Sequence, residues 1–337
     1  MYSLIRPLLF KLSPETAHSF TLNGLNLLYR LKLAQLFFGK PIQSNPCKVM
    51  GLDFPNRVGL AAGLDKNGEY IDCLSTLGFG FIEVGTVTPR PQKGNPTPRL
   101  FRLPTQRALI NRMGFNNHGV NKLLLNLQQT KFKGILGINL GKNFNTSIDH
   151  AIDDYFLGLQ KVYPFADYVT INISSPNTPG LRQLQQGEQL DLMLNVLKQT
   201  QQNLTTQYDK YVPLVIKIAP DLTEAQLEEI SKQLLNYQID GVIATNTTLS
   251  RDSVQGLAQA DETGGLSGEP LLKQSTLIVK KLHTLLRGKI PIIAVGGIMN
   301  AADAQAKLEV GASLVQVYTG LIYQGPFLIK EINQALG

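Results

Sequence analysis

Eight short apolar runs recur along the chain, each leading into a loop rich in Gly, Asn, Thr or Ser and then into a helix-length segment. They are "VGLAAG" (58–63), "GFIEVG" (80–85), "ILGINLG" (135–141), "YVTINIS" (168–174), "PLVIKIAP" (213–220), "GVIATNT" (241–247), "PIIAVGG" (291–297) and "SLVQVYTG" (313–320). Their near-continuous, β-branched character predicts parallel strands buried on both faces rather than half-solvated ones. Helices are predicted between them over 67–77, 147–162, 187–200, 223–236, 270–286 and 301–309. Eight βα units in about 280 residues predict an α/β chain closed into a (β/α)8 TIM barrel. An open two-domain sheet fits less well, because the first run lacks a GxGxxG turn and no linker-like change of composition divides the chain. The connections over 86–115, 174–187 and 248–269 are long and follow the C-terminal ends of the second, fourth and sixth runs. That is the end of a barrel where active sites are built.

The chain before the first run has a different pattern. Residues 1–40 read as two short helices separated by "KLSPE", with Ser13 as cap, Pro14 in the first turn and Glu15 at the positive end. Leu4, Ile5, Leu8, Leu9, Phe10, Phe20, Leu25, Leu28, Phe37 and Phe38 alternate there with Arg6, Lys11, Arg30, Lys32 and Lys40. The stretch between Glu15 and Arg30 is too short and too polar to span a bilayer. It reads either as an interfacial anchor or as a subdomain packed on the core. "VMGLDFPNRV" (49–58) predicts a small hairpin turning near Asp53 to Asn56. The expected division is an amphipathic extension over 1–40 and a barrel over 45–337.

Composition narrows the function classes. Of 337 residues 43% are apolar and 17% charged, with a net charge of +7. A packed globular chain is expected. Cys47 and Cys73 are its two cysteines, and its start lacks the pattern of a signal peptide, so a reducing cytosol is expected and a disulfide framework is not. His18, His118, His150 and His283 are scattered, and neither CxxC nor HExxH occurs, so no metal is expected. A second basic stretch, 88–112, holds six basic residues and no acidic one. Its five prolines and single aromatic match no nucleic-acid module, and nucleic acid is set aside as a partner.

Several run ends carry polar groups that a purely structural reading handles poorly: Lys66, Thr86, Asn139, Asn172, Lys217, Thr245 and Asn246. Lys217 lies inside "VIKIA", where an unpaired ammonium is costly to bury, so it requires an anionic or strongly accepting partner. Gly296, Gly297 and Gly320 follow the last two runs, a common place for a phosphate cradle. Together these residues suggest a flat ligand rich in amide-like groups and bearing a phosphate. "NISSPNTPG" (172–180) adds two serines at the barrel mouth. It is no GxSxG elbow, and no histidine lies near a run end, so acyl transfer is disfavoured. On these residues alone, Ser174 or Ser175 is either a turn cap or a proton acceptor. A serine base needs less help where hydride leaves the neighbouring carbon and water is excluded, and that chemistry requires a hydride-accepting cofactor.

The residues resemble a known family. "GLAAGLDKNGE" (59–69), "EVGTVTPRPQKGNPTPRLFRL" (83–103), "INRMGFNN" (110–117), "NLGKN" (139–143), "NISSPNTPGLR" (172–182), "IKIAPD" (216–221), "ATNTT" (244–248), "GGLSG" (264–268), "VGGI" (295–298) and "VYTG" (317–320), with the helical extension, are similar to quinone-dependent (class 2) dihydroorotate dehydrogenase. The resemblance implies a barrel enzyme of pyrimidine synthesis that holds one flavin mononucleotide (FMN) and oxidises (S)-dihydroorotate to orotate. It implies Ser175 as the base at C5 of the substrate, with hydride passing from C6 to the flavin. Substrate contacts would come from Lys66, Asn111, Asn172, Asn177, Asn246 and Thr247. The segment Asn111, Arg112, Met113, Gly114 and Phe115 and the loop from Ser174 to Arg182 would close over the substrate. Flavin contacts would be Ala62, Gly63, Lys66, Thr86, Asn139, Asn172, Lys217, Thr245, Gly268, Gly297, Tyr318 and Thr319. The extension becomes the mouth of a quinone tunnel, with peripheral attachment to the cytoplasmic side of the cell membrane and with His18 and Arg102 as polar contacts to the quinone head. The class is often monomeric. Its soluble relatives, which pass electrons to fumarate or NAD, use a cysteine base and lack the extension. A non-catalytic flavin-binding barrel is the remaining alternative.

Overall fold

A computed structural model of the protein describes residues 2–39 and 45–337. Met1 and Lys40 of the expected extension lie outside them. Helix α1 spans Tyr2–Lys11, α2 Pro14–Arg30 and α3 Ala34–Phe38. The start of α2 is as the sequence predicts: Ser13 Oγ accepts from the Thr16 N–H at 3.3 Å, Pro14 opens the helix and Glu15 sits in its first turn. Strands β1 (Cys47–Val49) and β2 (Leu52–Phe54) form an antiparallel hairpin, but its turn falls at Met50 and Gly51 rather than at 53–56. Both turn residues have positive φ, 53° and 80°, which the glycine supplies without strain.

The barrel begins with β3 (Val58–Leu60), α4 (Ile71–Ser75) and β4 (Phe81–Val87). The predicted helix over 67–77 shrinks to α4 because the buried Asp65 carboxylate takes the Glu69 and Tyr70 N–H groups at 2.9 and 2.7 Å, holding that stretch as a loop. The first long connection is not irregular. It contains β5 (Leu100–Leu103) and β6 (Ala108–Asn111), and α5 (Val120–Leu127) follows. Next come β7 (Ile135–Leu140), α6 (Ala151–Val162), β8 (Tyr168–Asn172), α7 (Gly187–Tyr208), β9 (Leu214–Ile218), α8 (Glu224–Asn236) and β10 (Gly241–Ala244). The third long connection contains β11 (Gly265–Gly268). After it run α9 (Leu272–Leu286), β12 (Ile292–Val295), α10 (Ala301–Glu309), β13 (Leu314–Val317), α11 (Thr319–Gln324) and α12 (Phe327–Leu336).

All eight predicted runs form parallel strands, closed in the order β10, β12, β13, β3, β4, β7, β8, β9. Alternation along each strand divides the side chains. On β4, Ile82 and Val84 pack outward with the helices, whereas Phe81 packs inside with Tyr168, Val215, Ile243, Ile293 and Leu314. The hairpin closes that end from below: Phe54 meets Phe81 edge-on at 5.2 Å. The opposite end is left for ligands. There β11, β6 and β5 make an antiparallel sheet in which Gly265 and Leu100 both face Asn111, so two long connections join into one roof.

The extension packs on this roof. Arg99 on the approach to β5 forms a two-pronged pair with Glu15 of α2 at 3.0 and 2.9 Å, Tyr70 donates to Asn23 at 2.9 Å, and Arg6 of α1 donates to the Tyr323 carbonyl at 2.8 Å. Yet α1 buries none of its residues, and Leu4, Leu8, Phe20, Leu27, Leu31 and Leu36 are each more than half exposed. Among the described residues, no helix is long and apolar enough to cross a membrane.

Candidate active site

The strand ends at the open side of the barrel surround a cavity of about 320 Å³, the size of small-ligand and cofactor sites. Its floor is polar. Asn139 on β7 donates to Glu83 on β4 at 2.7 Å, which turns its carbonyl oxygen toward Thr86 and Asn172. The Thr86 hydroxyl and Asn172 amide donate to that oxygen at 2.6 and 3.2 Å. Asn172 in turn accepts from the Ser174 hydroxyl at 2.8 Å, and Asn246 donates to that hydroxyl at 2.9 Å. On the other wall Asn177 donates to the Asn111 carbonyl at 3.1 Å. Each amide is thus fixed by a neighbour, and the groups left free are determined by geometry rather than by rotation.

The two serines of 172–180 separate here. Ser174 is fully buried and spends its hydroxyl on Asn172, a structural role. Ser175, 6% exposed, lies on the cavity wall, where its oxygen accepts from the Asn177 N–H at 3.2 Å. No imidazole or carboxylate among the described residues is hydrogen-bonded to it. Arg182 braces the loop, donating to the Ser174 and Thr247 carbonyls at 3.1 and 2.9 Å and pairing with Asp221 at 2.7 Å.

Two lysines give the cavity its charge. Lys217, 6% exposed on β9, has no hydrogen-bond or ion-pair partner among the described residues; burial lowers its pKa, and Glu83 opposes that shift. Lys66 is held down to about 8, first by burial and then by Arg99, against Glu15 and Asp65. An orphaned, nearly buried ammonium on a cavity wall calls for an accepting ligand. The glycine turns after β12 and β13 supply a second such feature. The Gly297 and Ile298 N–H groups find no acceptor among the described residues, and both residues line the cavity. Gly297 has φ of 81°, and a Cβ there would lie 2.3 Å from Leu272 Cα, so only glycine fits. Helix α11 starts at Thr319, directly after β13, also on the wall.

Of the site residues expected from sequence, Ala62, Gly63, Lys66, Thr86, Asn111, Met113, Gly114, Phe115, Asn172, Ser175, Asn177, Lys217, Thr245, Asn246, Thr247, Gly268, Gly297, Tyr318 and Thr319 line the cavity. Three residues do not. Asn139 lies one layer beneath, acting through Thr86 and Asn172. The Arg112 guanidinium pairs with Glu262 at 2.5 Å and stacks 4.6 Å from the Phe101 ring, turned into the roof. Arg102 donates to the Phe10 and Leu12 carbonyls at 3.2 and 2.8 Å and stacks over Phe10, tying α1 to β5. His18 does reach the wall, brought there by α2, and its pKa is pulled down to about 4 by burial, with Lys66 adding and Glu15 opposing. Its ring is therefore neutral near pH 7.

Comparison with known proteins places this cavity in a family. The dihydroorotate dehydrogenase family model matches residues 45–337. The chain belongs to the quinone-dependent class of the dihydroorotate dehydrogenase family. A dihydroorotate dehydrogenase (quinone) from Azoarcus sp. (strain BH72) is 59% identical over 99% of this chain and 98% of its own length. One from Methylobacillus flagellatus is 57% identical over the whole of both chains. The crystal structure of DHODH in complex with ferulenol from Eimeria tenella superposes with a TM-score of 0.86 at 38% identity, covering 96% of this chain and 90% of that one.

Sequence reasoning passed over several residues that shape the site. Glu83 is the clearest, because a carboxylate inside the apolar run 80–85 is as anomalous as Lys217 in its own run. Asp65 and Gln316 are interior polar residues of the same kind, whereas Arg182 shows no anomaly in the sequence and acquires its bracing role only through the fold.

Proposed function

We propose that the cavity binds FMN and dihydroorotate together, with Ser175 as the base of an enzyme that oxidises (S)-dihydroorotate to orotate and delivers the electrons to a membrane quinone. The observation that carries the assignment of roles is the nearly buried Ser175 on the cavity wall among Asn111, Asn172, Asn177 and Asn246, without histidine or acid at its hydroxyl. Asparagine amides offer both donor and acceptor to a ring of alternating N–H and C=O groups, and Lys66 offers charge to its carboxylate. The orphaned Lys217 ammonium and the free N–H groups of Gly297 and Ile298 fit an isoalloxazine edge and a phosphate, so the donor set agrees with a flavin nucleotide.

Bound there, FMN supplies the two-electron acceptor for the C6 hydride and the relay to quinone. The chain itself must take the C5 proton. A serine hydroxyl is a weak base in water, but Ser175 is nearly buried, bound ligands would cover it further, and the proton leaves as the neighbouring C–H bond breaks, forming the C5=C6 double bond of orotate. Asn177, bonded through its backbone to Ser175 and through its side chain to Asn111, keeps the hydroxyl aimed. Asn139 contributes from below by fixing Thr86 and Asn172.

Residues 1–40 are assigned to peripheral membrane contact and quinone entry, and residues 45–337 to the barrel and its ligands. The exposed leucines of α1 and α2, beside Arg6, Lys11 and Arg30, form the amphipathic surface such attachment needs. His18 is the quinone contact this geometry favours; Arg102 holds α1 in place. The chain is expected to act as a monomer.

The test is the visible spectrum of the purified protein before and after anaerobic dihydroorotate. Flavin should be present and bleached in the wild type, while Ser175→Ala should retain flavin and reduce it about 100-fold or more slowly. A barrel that only binds flavin would show the same rate in both. Parallel turnover with a ubiquinone analogue, fumarate and NAD separates the electron acceptors; comparable rates with fumarate or NAD would point to the soluble type.

A further inference from the structure

Lys307 on α10 is a fully buried lysine that the proposed chemistry leaves unused. Its ammonium forms no ion pair among the described residues and donates instead to two hydroxyls of α9, Ser275 Oγ at 2.7 Å and Thr276 Oγ1 at 3.1 Å. An ammonium has no lone pair, so both hydroxyls must turn their own hydrogens elsewhere. Thr276 donates to the Leu272 carbonyl at 2.7 Å. Ser275 reaches two acceptors, that same carbonyl at 3.1 Å and the Gly296 carbonyl at 2.9 Å. The first already takes Thr276, and the second has no other donor among the described residues, so the Ser275 hydrogen goes to Gly296. The Gly296–Gly297 peptide is trans and planar, and anchoring its carbonyl in α9 points its N–H the opposite way. Gly297 lines the cavity, and that N–H is one of the two free donors after β12.

We propose that Lys307 is a positioning residue for the phosphate end of the flavin nucleotide: through Ser275 it holds the Gly296–Gly297 peptide with its N–H aimed at the phosphate. The inference rests on the flavin reading of the cavity. A buried ammonium without a carboxylate partner is costly, and burial lowers the Lys307 pKa to about 7, with Asp303 opposing. A neutral amine could accept from Ser275 and release the Gly296 carbonyl, so the charged form is the one that fixes the peptide. A phosphate dianion bound on the far side of that peptide favours the charged form, and ligand and ammonium support each other.

The experiment compares FMN with riboflavin, which lacks the phosphate, as ligands of the full chain stripped of flavin. Dissociation constants are read by flavin fluorescence at about pH 6.5, where the ammonium form predominates, with thermal unfolding of each variant as the fold control. Lys307→Met removes the donor and keeps a side chain of similar reach; it should weaken FMN about tenfold and riboflavin less than about twofold. Ser275→Ala should give at least the same selective loss, and the double variant should be no weaker than Ser275→Ala alone, because the lysine acts through that hydroxyl. Thr276→Val removes the ammonium's other acceptor but leaves the route to Gly296, and should keep the wild-type preference for FMN. An unchanged FMN constant or equal losses for both flavins in Lys307→Met, additive losses in the double variant, or the same selective loss in Thr276→Val would each overturn the proposal. Should Lys307→Met fail to fold, Ser275→Ala decides, since it removes a single oxygen: an unchanged ratio of the two constants there refutes the relay. A wild-type chain that takes up neither flavin would instead sink the flavin reading, and one that binds both equally would sink the phosphate cradle; the inference falls with either.

Discussion

Lys66 should make product affinity fall steeply across a pH range in which most lysines do not titrate. Burial and Arg99 hold its pKa to about 8. If the ammonium pairs with the orotate carboxylate, the bound form keeps its proton while the free form loses it above that value. The dissociation constant then scales with one plus the ratio of deprotonated to protonated lysine, which is about 1.1 at pH 7 and about 11 at pH 9, a tenfold loss or one pK unit of linkage. Titrating orotate against the flavin absorption of the oxidised enzyme at pH 7, 8 and 9 measures this directly. Lys66→Met should bind weakly with no such break, which separates the lysine from any ionisation of orotate itself. Glu15→Gln supplies the second check. Glu15 now supports the charged form of Lys66 and pairs with Arg99, which opposes it, so removing the carboxylate should move the break to lower pH. A flat wild-type profile, or a break that moves upward in Glu15→Gln, would refute the reasoning.

Three other outcomes are expected. Leu4→Glu combined with Leu8→Glu places charge on the exposed face of α1; it should weaken flotation with anionic vesicles and lower turnover with a long-chain quinone at least tenfold, leaving flavin reduction by dihydroorotate intact. Gly297→Ala drives a Cβ to 2.3 Å from the Leu272 backbone at a φ of 81°, so the purified protein should lose most of its flavin by absorbance ratio while circular dichroism still reports a folded barrel. His18, with a folded pKa near 4 against about 6.5 unfolded, binds fewer protons folded than unfolded between those values, so its burial costs stability as pH falls through that window. The melting temperature of the wild type should therefore drop more between pH 7 and pH 5 than that of His18→Gln, and equal drops would place the ring in water.

The sequence by itself determined the barrel. Eight apolar runs state their strands locally, since a strand covered by helices on one side and core on the other needs apolar residues at nearly every position. It also exposed Lys217, because an ammonium in such a run is anomalous whatever surrounds it. Short elements were harder to see: β5, β6 and β11 are four residues each and exist only because residues from two distant connections meet in one roof. The direction of a side chain was harder still. Arg112 sits in a motif at the mouth yet turns to Glu262, 150 residues away, and His18 reaches the cavity wall only because Arg99 and Tyr70 dock α2 there. Glu83 stands in plain view within its run, but its role depends on Asn139, 56 residues further along, whose amide it orients. Strand periodicity is a property of neighbours in the chain, whereas polar satisfaction inside a closed barrel belongs to groups that only the fold brings together.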